Sequence, residues 1–161
     1  MSKFLPQPTT GPFDADNIDA FNVGSALVLG PFSLQGEVTA GVIDSDVGRD
    51  PFFWGTYAEA SYFLTGEHRP YDLKKAVFVE VKPTKNFDIQ TGDWGAWQLA
   101  VRYSYLDLSD EDLRGGTLND ITAGINWYLF PNMRVMFNYV YAHLNGVGDA
   151  NIAEVRFQFT F

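Results

Sequence analysis

Long antiparallel β-strands, with no helix among them, are the fold class that this sequence predicts. Three observations predict it. First, apolar and polar residues alternate strictly over long stretches. At the end of the chain Ala153, Val155, Phe157, Phe159 and Phe161 alternate with Glu154, Arg156, Gln158 and Thr160. A period of two marks a strand with one apolar face. Second, the clearest of these segments run ten to twelve residues. A tilted strand needs about 9–11 to cross a bilayer, whereas strands of soluble domains average about 5–6. Third, aromatic residues gather at segment ends, and tight turns alternate with long polar loops, as in membrane barrels. The prediction is an all-β, antiparallel transmembrane β-barrel of outer-membrane type, with seven or eight strands. A soluble jelly roll with an aromatic core is the competing fold.

The elements follow in order. A first strand is expected over 21–29. The Gly30-Pro31 breaker then returns the chain into a second, where Phe32, Leu34, Val38 and Ala40 oppose Ser33, Gln35, Glu37 and Thr39. Residues 44–50 read as an acidic loop. In the third strand Ala58, Ala60, Tyr62 and Leu64 alternate with Tyr57, Glu59 and Ser61. A short stretch at 77–81 is an uncertain eighth crossing. The strand over 97–106 sets Trp97, Leu99, Val101, Tyr103 and Tyr105 against Gln98, Ala100, Arg102 and Ser104. Residues 109–116 read as a second polar loop, and a strand follows over 121–130. Pro131-Asn132 makes the next tight turn. The last two strands are expected over 133–144 and 151–161, around a polar loop at 144–149. In the strand over 121–130, Trp127 and Phe130 lie beside the Pro131 turn and are expected in an aromatic girdle. The boundaries expected are an N-terminal extension or loop over 1–17 and a barrel segment over 18–161.

Composition narrows the function. The chain has 161 residues, 11 Lys+Arg and 20 Asp+Glu, a formal charge of -9. That balance argues against nucleic acid, which demands a basic footprint. With no Cys and 2 His, disulfides and thiolate sites are out, and no metal or cofactor is expected. No Asp-x-Asp-x-Asp-Gly calcium loop occurs. An enzyme is not expected either: strand parity puts His68 and His143 at opposite ends of the sheet, so they cannot share a site. No run of 18 apolar residues is present to form a membrane helix, and residues 1–8 do not read as a signal peptide.

Several segments are jointly specific. They are Gly30-Pro-Phe-Ser-Leu-Gln-Gly-Glu37, Ala60-Ser-Tyr-Phe-Leu-Thr-Gly-Glu-His-Arg-Pro-Tyr-Asp72, Gly95-Ala-Trp-Gln-Leu-Ala-Val-Arg-Tyr-Ser104, Gly116-Thr-Leu-Asn-Asp-Ile-Thr-Ala-Gly-Ile-Asn-Trp-Tyr128 and Pro131-Asn-Met-Arg-Val-Met-Phe-Asn-Tyr139. With them the chain resembles the phosphate-selective porin O and P family from about residue 14 to its end. The resemblance implies a water-filled channel in the bacterial outer membrane, commonly a trimer of sixteen-stranded barrels. This chain is too short for sixteen strands and is expected to be the C-terminal half of such a barrel. The alternative is a small autonomous outer-membrane barrel with a structural or adhesive role and no conductance.

Under the porin reading no bond chemistry is expected, only a polar path with chosen charges. Parity puts Arg102, Arg134 and Arg156 on the polar face, where guanidinium forks suit phosphate. Glu37, Glu59 and Glu154 share that face, so Arg–Glu bracing of the wall is an equal alternative. The second candidate is the basic stretch after the third strand, with Arg69, Lys74, Lys75, Lys82 and Lys85. It is expected either to fold inward and narrow the channel or to form a solvated turn. Acidic loops at the opposite mouth favour cations and oppose anion selectivity. Phe157, Phe159 and the terminal Phe161 look like the signal read by the barrel-assembly machinery. The partners expected are outer-membrane lipid, that machinery, small anions and, at full length, two further copies in a homotrimer.

Overall fold

The alternation seen in the sequence becomes register in space. A computed structural model describes residues 8–10, 17–44, 50–110 and 113–160. Seven of its strands form one antiparallel sheet: β1 (Asn17–Leu29), β2 (Phe32–Asp44), β3 (Phe52–Phe63), β6 (Ala96–Asp110), β7 (Leu113–Phe130), β8 (Met133–Leu144) and β9 (Gly148–Phe159). Neighbours in sequence are neighbours in the sheet. Two short strands, β4 (Tyr71–Asp72) and β5 (Val77–Phe78), pair only with each other. The sheet is open, with β1 and β9 as its edges running in the same direction.

Pairing keeps like with like. Leu99 opposes Ile125, Ile125 opposes Phe137, and Phe137 opposes Val155. One residue along, Gln98 opposes Asn126 and Arg134 opposes Gln158. A slip of one residue would swap every such pair to the wrong face, so the pattern pins the register. Two short turns help to set it. At Gly30 φ is +58°, and Pro31 holds its own φ near about -65°. That is the φ pattern of a type II′ hairpin, whose twist matches the flanking strands.

Among the described residues no second layer packs on the apolar face, which is touched only at the rim by Phe87 and Trp94. Phe21 is 70% exposed, Phe157 64% and Val101 50%. A soluble sheet would bury such residues against a second layer. Here the buried apolar cluster is small, comprising Phe63, Val81, Ala96 and Tyr128, and it lies on the other face. The soluble jelly-roll alternative therefore has no core to stand on. Aromatic rings border the apolar band at both ends. Near the Pro131 turn the Trp97 and Trp127 rings stack with centroids 5.0 Å apart, and Phe87 meets Trp127 edge-on at 5.4 Å. Near the opposite end Trp54 and Tyr105 lie 4.9 Å apart. Trp97 and Tyr105 are eight residues apart on β6. At about 3.3 Å per residue and a tilt of about 40°, that is about 20 Å along the membrane normal, close to an apolar band about 25 Å tall.

Several boundaries differ from expectation. The loop expected over 109–116 is mostly strand, because β6 runs to Asp110 and β7 starts at Leu113. Strand β3 starts at Phe52, and β9 starts at Gly148. The stretch at 77–81 does not cross: only Val77 and Phe78 are paired, in a hairpin off the main sheet. Among the described residues the sheet therefore has seven strands, and the stretch at 77–81 supplies no eighth for a small closed barrel. Most of the acidic loop at 44–50 lies outside the described residues, as does Phe161.

Candidate functional site on the polar face

The candidate site forms where residues 64–95 fold back over the polar face of the sheet, at the end that carries both tight turns. Val81 packs there with Phe63, Ala96 and Tyr128. The return leg runs backbone against backbone. A Cβ at Gly95 would sit 2.2 Å from the Tyr128 carbonyl oxygen, at a φ of +68°, so only glycine fits. Inside the fold-back, the Glu67 carboxylate accepts from the Thr84 N–H at 3.1 Å and from the Thr65 hydroxyl. Phe87 and Trp94 lie on the apolar side, where the Trp127 indole N–H donates to the Trp94 carbonyl at 2.7 Å. The segment therefore grips the sheet rim from both faces.

The predicted cations have different fates. Arg69 is fixed against the polar face by Glu59 at 3.0 Å and lies 3.7 Å over the Phe78 ring. Arg156 pairs with Glu154 at 2.8 Å. Arg102 lies 3.9 Å over the Tyr57 ring, and its Nε donates to Ser104. Lys74 and Lys75 stand exposed at the tip of the β4–β5 hairpin, where the Asp72 carboxylate accepts from both backbone N–H groups. Lys82 is exposed and lines a separate hollow beside Glu67 and His68. Lys85 is on the apolar rim, paired with Asp93 at 2.9 Å. The cations thus do not form one track: Lys74 and Lys75 are at a hairpin tip, and Arg69 and Arg156 are neutralised.

Arg134 differs from all of these. Its Nε and Nη2 both donate to the Gln158 carbonyl oxygen, at 3.0 and 2.8 Å, and its Nη1 donates to the Tyr128 hydroxyl at 3.2 Å. Tyr128 donates onward to Gln98 at 3.0 Å, Gln98 to Ser61 at 2.8 Å, and Ser61 meets Ser33 at 2.7 Å. This chain crosses six adjacent strands, β2 to β9. Its members Ser33, Ser61, Gln98 and Tyr128 are all buried. Arg69 and Arg134 line one cavity of about 370 Å³, together with Glu80, Tyr128 and Gln158. Phe130 and Met133 line it as well, at the turn, where a register shift after Tyr128 pairs these two residues. Parity had put Ser33, Ser61 and Gln98 on the polar face, but the register that joins them was not readable from one strand at a time.

Comparison with known proteins now decides the family. The model of the phosphate-selective porins O and P matches residues 9–161. The chain belongs to this porin family. Membership places it in the bacterial outer membrane, with the exposed apolar face toward lipid and the polar face toward the lumen. The chain is 31% identical to Porin O of Pseudomonas aeruginosa over 94% of its own length and 36% of that protein. It is 32% identical to an uncharacterized protein of Caulobacter vibrioides, over 88% of this chain and 30% of that one. The chain therefore spans about a third of the length of these curated relatives. Phe157 and Phe159 stand on the lipid face of the edge strand β9, 64% and 54% exposed.

Proposed function

We propose that this chain is one section of the wall of a water-filled outer-membrane channel that passes small anions such as phosphate by passive diffusion. The observation that carries the reading is the two-faced sheet with an inward fold-back. Its outer face is apolar and uncovered, and its inner face holds Arg69, Arg102, Arg134 and Arg156. Fixed positive charge on a lumen wall lowers the barrier to anions. The acidic residues Asp44, Asp107, Asp110 and Asp149 gather at the opposite end, beside the long loops. In this reading the net charge of -9 sits mostly at the mouth, and the cations sit deeper.

Both edge strands need neighbours, and the remaining strands of a larger barrel supply them. The proposed assembly is a homotrimer. Phe157 and Phe159, with Phe161, present the C-terminal signal to the assembly machinery. The test is the reversal potential of the full-length porin in planar bilayers, first across a chloride gradient and then across a phosphate gradient. Anion-selective potentials in both support the reading. A cation-selective potential, or no current through correctly inserted protein, overturns it.

A further inference from the structure

The fold-back carries two exposed tips, on opposite sides of the wall. Leu73, at the tip of the β4–β5 hairpin on the polar side, is 87% exposed. Ile89, in a smaller loop on the apolar side, is 81% exposed. Paired backbone bonds between Asp88 and Asp93, at 2.9 and 3.0 Å, close that smaller loop. The Asp88 carboxylate accepts from the Gln90 N–H at 2.8 Å, and Gly92 turns the chain at a φ of +76°. Two bonds fasten the loop to the wall. The Phe87 N–H donates to the Leu129 carbonyl at 2.8 Å, and the Trp94 carbonyl accepts from the Trp127 indole.

The Asp88–Asp93 bridge sorts the side chains of the loop. On a two-stranded ladder, residues one step from a bridged pair point to the opposite face from it. Phe87 and Trp94 are such a pair, with ring centroids 6.1 Å apart, and Phe87 meets the Trp127 ring at 5.4 Å. Ile89 follows Phe87 on that face. The other face is polar, for Asp93 holds Lys85 and accepts from the Thr91 hydroxyl at 2.8 Å. The loop is thus amphipathic, and its apolar face continues the stacked Trp97–Trp127 girdle outward. Trp94 stands 65% exposed there. Short turns mark the periplasmic side of such barrels, so this loop meets the periplasmic leaflet. Tryptophan favours the headgroup level, where its ring is in hydrocarbon and its N–H is wet. Charge does not draw the loop to anionic lipid, because Asp88 and Asp93 outnumber Lys85.

We infer that residues 85–94 are a membrane-interface foot, which inserts Ile89 and Trp94 into the periplasmic leaflet and so moors the lumenal fold-back to lipid from outside the wall. The partner is a phospholipid surface, recognised by apolar contact and not by headgroup charge. The inference uses the lipid-facing side of the wall and is independent of which ions the channel passes.

The test uses the full-length porin in phosphatidylcholine vesicles, with I89C as sole cysteine carrying an NBD fluorophore. This section has no native cysteine to remove. Blue-shifted emission is expected. A nitroxide at the head of the acyl chain should quench it strongly, and iodide on both sides only weakly, as for a side chain about 5–10 Å into the headgroup–acyl boundary. Adding phosphatidylglycerol should leave this pattern unchanged. L73C should behave in the opposite way, open to iodide and untouched by lipid nitroxides. If I89C does not insert, Trp94 carries the test: the emission lost in W94F should be the part that brominated lipid quenches. Iodide quenching of I89C equal to that of L73C puts the loop in water and overturns the inference. Shielding of I89C from both quenchers puts a second copy or another protein over the loop, and overturns it as well. So does Trp94 emission indifferent to brominated lipid, or a depth that follows the phosphatidylglycerol fraction.

Discussion

In the sheet an aliphatic side chain, Val101, stands 50% exposed, while in the fold-back a carboxylate, Glu67, is 7% exposed. In water both would be out of place, and each is explained by what surrounds it. Val101 lies midway along β6 between the two aromatic girdles, where the neighbour is hydrocarbon. Glu67 is enclosed by the donors it satisfies, Thr65 and Thr84. The sheet is held by backbone ladders and a repeating solvent preference, so its order is spread over many equivalent residues. The fold-back has almost no ladder of its own, and its order is concentrated in a few contacts: Glu67 to Thr84, Arg69 to Glu59, and Gly95 over Tyr128. A substitution should therefore act by face in the sheet and by identity in the fold-back.

The largest expected effect tests the first half of that contrast. V101R places a charge at the lipid midplane and should cost about 2–4 kcal/mol of folding stability. A100R, one residue away and on the lumen face, should cost about 0.5 kcal/mol or less. Denaturant titration of the full-length protein refolded into lipid vesicles reads both. Equal losses would mean that the faces are not what separates these positions.

The next effect belongs to the fold-back. E67A leaves the Thr84 N–H without its acceptor and should loosen residues 64–95 by about 1–3 kcal/mol. Hydrogen exchange at Thr84 should rise, while the denaturation midpoint of the sheet stays unchanged. The same contact gives a pH dependence. Burial alone would push the Glu67 carboxyl up, but bonds from the Thr65 hydroxyl and the Thr84 N–H outweigh it and hold the group below its ordinary 4.5. A depressed carboxyl contributes its stability above the ordinary value and loses it as pH falls through the lowered one. Protection at Thr84 should therefore be intact above pH 4.5 and fall only below it. E67Q should abolish that fall.

The smallest effect is a control for both. Lys85 is 73% exposed in its pair with Asp93, and exposed pairs of this kind contribute little. K85Q should leave the unfolding midpoint and the Thr84 protection unchanged.

What was legible in the sequence follows the same division. The strand β8 could be read to the residue, and β9 apart from its first three residues, because Val135, Phe137 and Tyr139, and then Val155, Phe157 and Phe159, alternate without a break. The start of β7 was not legible. From Leu113 to Asp120 the residues are buried or half-buried except Arg114, and Gly115, Gly116, Asn119 and Asp120 carry no alternation although the backbone is still paired. At 77–81 Val77, Val79 and Val81 alternate as in a crossing strand, yet only Val81 is in the buried cluster, Val77 and Val79 are exposed, and only two residues of the stretch are paired. For the site, parity places Arg102, Arg134 and Arg156 on one face, and the strand register keeps them on the face of Gln98 and Gln158. Parity could not tell that Arg156 is neutralised and Arg134 is not. That difference depends on which strand neighbours bring a carboxylate and which bring Gln158 or Tyr128.

The direction of the two edge strands has a consequence for symmetry. Copies of this section arranged around an axis along the membrane normal all keep the same orientation. The β9 of one would then meet the β1 of the next running parallel to it, a pairing that antiparallel walls do not contain. The section is thus not complementary to itself, and no number of its own copies closes a ring. A closed antiparallel wall that includes these seven strands must be completed by an odd number of different ones. Tandem duplication of this stretch would leave the join mispaired, whereas exchange for another odd-numbered section would preserve closure. The unit that can be traded between such barrels is set by handedness of travel at its borders, and not by its length.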